Sequence, residues 1–323
     1  VVPAGSREAL SERSTFPSTG FGEGTLGDVA DSEAIRLPDL AVVFSRRAER
    51  LSALAPGHEL EAFLRLMAAL ATAQQASLSG LPPGTLPASS EVAAMRRSGR
   101  SPLDPVSAGR DATWRAALDR IIETIDRSVL PEPARATVAS LAQTPPAVLE
   151  AMADRFLSGE VERKDAAAVT FVAAALQVAW TRMAALLDKA DLASDAPETG
   201  TCPVCASPSV AGIVSPGGTK FGHRHLHCSL CATAWRYVRV RCIHCGSTDK
   251  VSFRQFAGAS FVRAECCEKC HGYSKVFYLD HAKPVEPFAD DLASLGLDML
   301  VGEEGFSRAP NPFVIGMMER SQE

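Results

Sequence analysis

Cysteine is absent from the first 201 residues and again from the last 53; all nine fall between Cys202 and Cys270. That crowding argues against a disulfide framework, which staples small secreted domains, and points to metal ligation. A basic surplus is also missing: the formal net charge is −5, so no bulk positive field advertises nucleic acid or an anionic membrane. No basic segment followed by an apolar core and a small-residue cleavage site is present, so an export signal is not expected. Long apolar runs are lacking too. The longest, AAAVTFVAAALQVAW (166–180), is Ala-rich and interrupted by Thr170 and Gln177. A membrane span needs ~18 or more strongly apolar residues, so a buried bundle helix is expected and a membrane span is not. There is no Gly-rich phosphate loop, no GxSxG elbow and no HExxH pair, and a non-catalytic role is expected.

What is present begins with a Gly/Ser/Thr-rich stretch over residues 1–30 without a sustained apolar period, expected to be disordered. Residues 31–197 read as an α-helical domain. Pro38 suits the first turn of a helix carrying Leu40, Val43, Phe44, Leu51 and Leu54, ended by Pro56-Gly57. A second helix covers 59–78, and others about 112–129, 134–142, 146–157 and 165–190, with breaker-rich connections at 82–87 and 98–110. With β-branched alternation scarce, a helical bundle is the natural packing. The character changes at DAPETG (195–200), and residues 198–282 are short-stranded and rich in Cys, His, Lys and Arg. Residues 283–323 complete the chain as a helix (289–300) and an irregular tail, with Asp290 and Asp291 expected on a solvated first turn.

Four CxxC pairs stand in order: Cys202/Cys205, Cys228/Cys231, Cys242/Cys245 and Cys267/Cys270. Twenty-two residues separate Cys205 from Cys228, and 21 separate Cys245 from Cys267. The spacing describes an internal duplication, with modules at about 198–238 and 239–282. A CxxC turn aims two thiolates at one cation while backbone N–H groups approach the sulfurs. Two such turns close a tetrahedral S₄ shell, suited to structural zinc or to a mononuclear iron. The expected fold is therefore α plus a small β part: an N-terminal α-helical bundle followed by two tandem rubredoxin-like or zinc-ribbon-like four-cysteine modules. Two metal ions, iron or zinc, are the expected cofactors, held by those eight cysteines. Cys266 has no duplicate partner, and its neighbour Cys267 has the CxxC spacing to Cys270.

Six of the seven histidines (His223, His225, His227, His244, His271 and His281) share this region. With both shells filled by thiolates, they are expected on strand faces or around the ligands; His223, His225 and His227 alternate and so share one face. Residues 200–281 hold ten Lys plus Arg and four acids, a formal +6 that resembles a nucleic-acid footprint. Each divalent cation in four thiolates carries −2, leaving about +2, so much of this basicity is expected to offset the clusters. WRYVRVR (235–241) joins the modules. Trp235 and Tyr237 are expected to fill the ribbon core, the alternative being a strand edge open to an added peptide.

The runs RHLHCSLCATAWRYVRVRCIHC (224–245), AECCEKCHGYSKVFYLD (264–280), ADDLASLGLDMLVGEEGFSRAPNPF (289–313) and IRLPDLAVVFSRRAERLSAL (35–54) together resemble FdhE, the formate dehydrogenase accessory protein family. The resemblance covers nearly all of the chain after residue 30, with departures at Cys266, where a Ser is expected, and Ala234, where an acid is expected. It implies a cytoplasmic maturation factor for respiratory formate dehydrogenase. The implied partner is the catalytic subunit, which bears a twin-arginine export signal, and the implied cofactor is iron in rubredoxin-like motifs. Two other readings fit the residues: a nucleic-acid-binding ribbon protein, disfavoured by the charge balance, and a rubredoxin-like electron carrier.

Overall fold

The computed structural model describes residues 33–82, 84–107, 109–192, 200–215, 223–257, 261–279, 284–309 and 311–314. The segment 1–30, most of 195–200, Lys220, Asp280, His281 and the last part of the tail lie outside the described residues.

The helical region is organised around α7 (Ala166–Ala185), in which every residue from Phe171 to Thr181 is buried. A helix that is apolar all round has no solvent face to offer and becomes the core of a bundle. Its alanines let neighbours approach closely: α2 (Glu61–Ser77), α4 (Thr113–Thr124), α5 (Glu132–Leu141) and α6 (Pro146–Ser158) all pack on it. The apolar run at 166–180 is thus a core helix, as its interruptions indicated. α1 (Val43–Leu54) folds back on α2 after Pro56-Gly57. Pro38 is not in its first turn; Asp39 organises the entry instead, accepting the N–H of Ala41 on its carboxylate and that of Val43 on its carbonyl. A short α3 (Ser89–Arg97) was not expected, because it buries only Val92. Its start is secured by Glu91, whose carboxylate accepts the Ala88 N–H at 2.8 Å.

The C-terminal half forms one seven-stranded sheet: β1 (Ile35–Arg36), β2 (Ser209–Ser215), β3 (His223–Cys228), β4 (Ala234–Tyr237), β5 (Val251–Arg254), β6 (Val262–Cys267) and β7 (Tyr273–Tyr278), in the order β1-β4-β3-β2-β7-β6-β5. Each sequence repeat contributes an antiparallel three-stranded unit, β2-β3-β4 or β5-β6-β7. The repeats are fused by parallel pairing of β2 with β7 (Gly212↔Val276, Ile213↔Phe277, Val214↔Tyr278). The linker is therefore not the sole tie between them. Arg224 of β3 reaches across the seam, pairing with Glu265 of β6 at 2.7 Å and donating to Ser274 of β7 at 3.2 Å. Gly212 lies beneath it, where a Cβ would come within 3.2 Å of the guanidinium.

Trp235 and Tyr237 are buried, as expected of core residues. β1, from the start of the helical region, covers the outer edge of β4 (Ile35↔Trp235), so a peptide could not add there without displacing it. A single turn, α8 (Lys189–Leu192), follows α7, and the expected helix at 289–300 is two: α9 (Pro287–Ala293) and α10 (Leu295–Glu303), broken at Ser294. The break exposes the carbonyls of Asp291 and Ser294 to Lys275 of β7, which donates to them at 2.9 and 3.0 Å. Asp290 and Asp291 are not solvated. Asp290 is gripped by Arg50 at 2.6 and 2.9 Å, and Asp291 faces Lys275, Arg308 and Asn311. The carboxylates left the surface because α9 packs between α1 and β2, where only paired charges are tolerated.

Candidate metal centres

All four CxxC turns are built alike. In each, the N–H of the first cysteine donates to the carbonyl five residues on: Cys202 to Ser207, Cys228 to Thr233, Cys242 to Ser247 and Cys267 to Gly272, at 2.8–2.9 Å. The residue after the second cysteine is left-handed in every case: Ala206, Ala232, Gly246 and His271, with φ between 56° and 71°. Three of these are not glycine, a cost of about 1 kcal/mol or more each, so the surrounding structure enforces the turn. Tightened this way, main-chain N–H groups come to sulfur: Val204 to Cys202, Leu230 and Cys231 to Cys228, His244 to Cys242 and Gly272 to Cys270, at 3.3–3.4 Å.

The turns converge in pairs. Cys202, Cys205, Cys228 and Cys231 form one quartet and Cys242, Cys245, Cys267 and Cys270 another, with the four sulfurs of each within 4.8 Å of one another. Individual Sγ···Sγ separations are 3.6 Å (Cys202–Cys231), 3.3 Å (Cys205–Cys228), 3.6 Å (Cys242–Cys270) and 3.7 Å (Cys245–Cys267). These are far beyond a disulfide bond of about 2.05 Å. They approach the edge of about 3.8 Å that four sulfurs take around a cation at about 2.3 Å.

The proton chemistry fits the same conclusion. Burial pushes Cys202 and Cys228 well up; burial also opposes ionisation of Cys205, but donation from Cys202, Cys228 and Cys231 holds its pKa well down. Four thiolates cannot share so buried a pocket uncompensated; a cation lets all four ionise. In the second quartet, burial raises Cys242 to about 12, while the Ser247 N–H leads in lowering Cys245 to about 7. Two tetracysteine clusters thus suit two metal ions. Cys266 belongs to neither: it is buried between β5 and β7, its thiol 3.8 Å from the Ala264 carbonyl, and burial raises it to about 12.

Two histidines brace the structure around the quartets. His244 bonds the Tyr273 carbonyl at 3.0 Å and His225 that of Glu33 at 3.2 Å. Burial, then the charges of His225 and Arg36, push His227 down to about 3, so it is neutral at pH 7. Three basic residues expected to offset the clusters do something else: Arg224, Arg254 and Lys275 neutralise Glu265, Glu304 and the pair Asp291/Asp298.

Sequence reasoning missed the contacts that seat the first cluster on the bundle. Ser101 Oγ, Arg96 and the Leu103 N–H donate to the carbonyls of Cys202, Pro203 and Val204. Gln177 of α7 donates to the Ser229 carbonyl at 2.8 Å while accepting from Arg47 and Gln74. The one available signal was Gln177 itself, a polar residue inside an apolar run. A separate cleft of about 500 Å³ lies beside α3, α4 and α7. Its polar groups are spent internally: Asp111 accepts the Thr85 and Thr113 amides, and Trp180 donates to the Leu103 carbonyl. The two quartets are the candidate site.

Three family models match in succession: "FdhE, N-terminal" over residues 32–197, "FdhE, central domain" over 201–239 and "FdhE, C-terminal domain" over 240–314. The chain belongs to the FdhE family. Among FdhE relatives, the "Protein FdhE homolog" of Pseudomonas aeruginosa is 38% identical over 281 residues, covering 83% of this chain and 89% of the relative. That of Haemophilus influenzae is 35% identical, covering 84% and 88%, and that of Rhizobium meliloti 31%, covering 90% and 96%. The fold matches the crystal structure of the FdhE protein from Pseudomonas aeruginosa with a TM-score of 0.76 at 34% identity, covering 86% of this chain and 97% of that one.

Proposed function

We propose that the protein is a non-catalytic maturation factor, required for assembly or activation of respiratory formate dehydrogenase. It acts in the cytoplasm on the catalytic subunit, which bears a twin-arginine signal, before export. Membership of the FdhE family across residues 32–314 supports this reading. In it, Cys202, Cys205, Cys228 and Cys231 hold one cation and Cys242, Cys245, Cys267 and Cys270 a second, iron or zinc, since S₄ shells serve both. The cations supply the folding free energy that a small knuckled sheet lacks, on the order of 10 kcal/mol per site. Deleting the gene is expected to abolish formate-dependent respiration while the catalytic subunit is still made, and the tagged protein is expected to retain that subunit in a pulldown. Undiminished respiration in the deletion strain would remove the proposal.

The exposure of Cys245 and Cys270 favours one second reading, an electron carrier of rubredoxin type. It requires a coloured, reversibly reducible iron centre; a colourless protein with full zinc after anaerobic, iron-replete purification rules it out. Nucleic acid is not assigned as a partner, because Arg224, Arg254 and Lys275 are consumed by buried or partly buried acids.

A further inference from the structure

The two quartets are built from the same turn but stand in different surroundings. Cys202, Cys205, Cys228 and Cys231 are each 0% exposed. Their turns are fastened to the helical region by four hydrogen bonds, from Arg96, Ser101, Leu103 and Gln177. In the other quartet Cys242 and Cys267 are buried, whereas Cys245 and Cys270 are exposed. A cleft of about 240 Å³, lined by His244, Cys245, Cys270, Gly272 and residues 307–309, opens directly onto those two cysteines. The described bonds around its turns come from the sheet, the segments flanking it and the C-terminal segment, among them Tyr237 to the Cys242 carbonyl, Arg241 to the Gly246 carbonyl, His244 to the Tyr273 carbonyl, and Ser307 to the His271 carbonyl.

Building on the assignment of one cation to each quartet, we propose that the second quartet is an exchange site and the first a permanent joint. Cys245 and Cys270 form the edge at which an external soft donor, a low-molecular-weight thiol or a competing chelator, gains access. Substitution there is ligand exchange without change of oxidation state: one incoming donor bonds as one cysteine sulfur lets go, and the freed thiolate takes up the proton that an incoming thiol gives up, or, with an aprotic donor, one from water. The first quartet offers no such edge. Reaching it requires the helical region to lift off its turns, breaking four hydrogen bonds at roughly a fivefold factor each, so its exchange is several hundredfold slower or more.

The test uses the full chain loaded with zinc, counted first and then challenged with excess 4-(2-pyridylazo)resorcinol. Two equivalents bound, one released fast and one slowly, is the expected result, with Cys245→Ser abolishing the fast phase and keeping one equivalent. As a check independent of that variant's folding, brief iodoacetamide treatment of the loaded wild-type chain is expected to label Cys245 and Cys270 before any of the first four cysteines. Simultaneous release of both equivalents, or first labelling within Cys202–Cys231, overturns the proposal while leaving the two-metal assignment standing. Loading that stops short of two equivalents defeats the assignment itself and the proposal with it.

Discussion

Replacing Lys275 with Met tests the buried ionic cluster that clamps the C-terminal helices to the sheet. Lys275 is 0% exposed, and its ammonium lies 2.5 Å from Asp298 and 3.2 Å from Asp291, while Arg308 contacts the same two carboxylates at 2.8 Å. Two cations thus balance two anions. Methionine fills much the same volume but leaves one buried negative charge in excess and takes one of their donors from the Asp291 and Ser294 carbonyls. Stripping one partner from a buried pair costs about 3–5 kcal/mol. Asp298→Asn is expected to cost a similar amount by leaving a surplus positive charge. The double variant restores neutrality and should fall short of the sum by about 2 kcal/mol, within the range of coupled neighbours.

Urea unfolding of the metal-loaded chain reads this directly, followed by the fluorescence of Trp114, Trp180 and Trp235, all buried. Burial alone would raise Asp291, but Arg308 and Lys275 outweigh it and hold its pKa below 3.8. Its contribution is therefore complete above that value and lost as pH falls through the lower folded-state value. Without Lys275 the loss should set in at higher pH. A single-variant cost below about 1 kcal/mol, or additivity within about 0.5 kcal/mol, would refute the account of a coupled charge cluster.

Gln177→Leu should destabilise by about 2–3 kcal/mol in thermal unfolding, because it strands the Ser229 carbonyl and a donor each on Arg47 and Gln74; an unchanged midpoint would show that water replaces the side chain. Gly200→Ala drives a Cβ into the Ile243 carbonyl oxygen, a main-chain clash expected to cost about 3 kcal/mol or more, and wild-type stability would mean that this approach is not maintained in solution. Cys266→Ser should keep two metal equivalents per chain whereas Cys267→Ser loses one, measured by elemental analysis. The reverse result would move the ligand by one position.

Much of the molecule was legible from local pattern. Helical periodicity marked α1, α2 and α4 to α7, and matched CxxC spacing identified the quartets, because a tight turn and a 3.6-residue repeat are properties of a few neighbouring residues. The odd cysteine is set apart by the same local logic: only Cys267 has Cys270 three residues on, and strand alternation turns Cys266 to the opposite face. α3 escaped notice because it buries a single side chain, and the 289–300 helix was not seen to break because its break answers to Lys275, 19 residues away.

Long-range packing decided the rest. Parallel pairing of β2 with β7 joins strands more than sixty residues apart, and nothing in either strand names its partner. Asp290 and Asp291 looked like surface charge because their cations, Arg50, Lys275 and Arg308, come from α1, β7 and the tail. The four cysteines of each quartet are alike in sequence, and only the helical region resting on the first pair of turns makes one cluster closed and the other open. Sulfur geometry is local and repeats with the sequence; burial depends on what the rest of the chain lays over it.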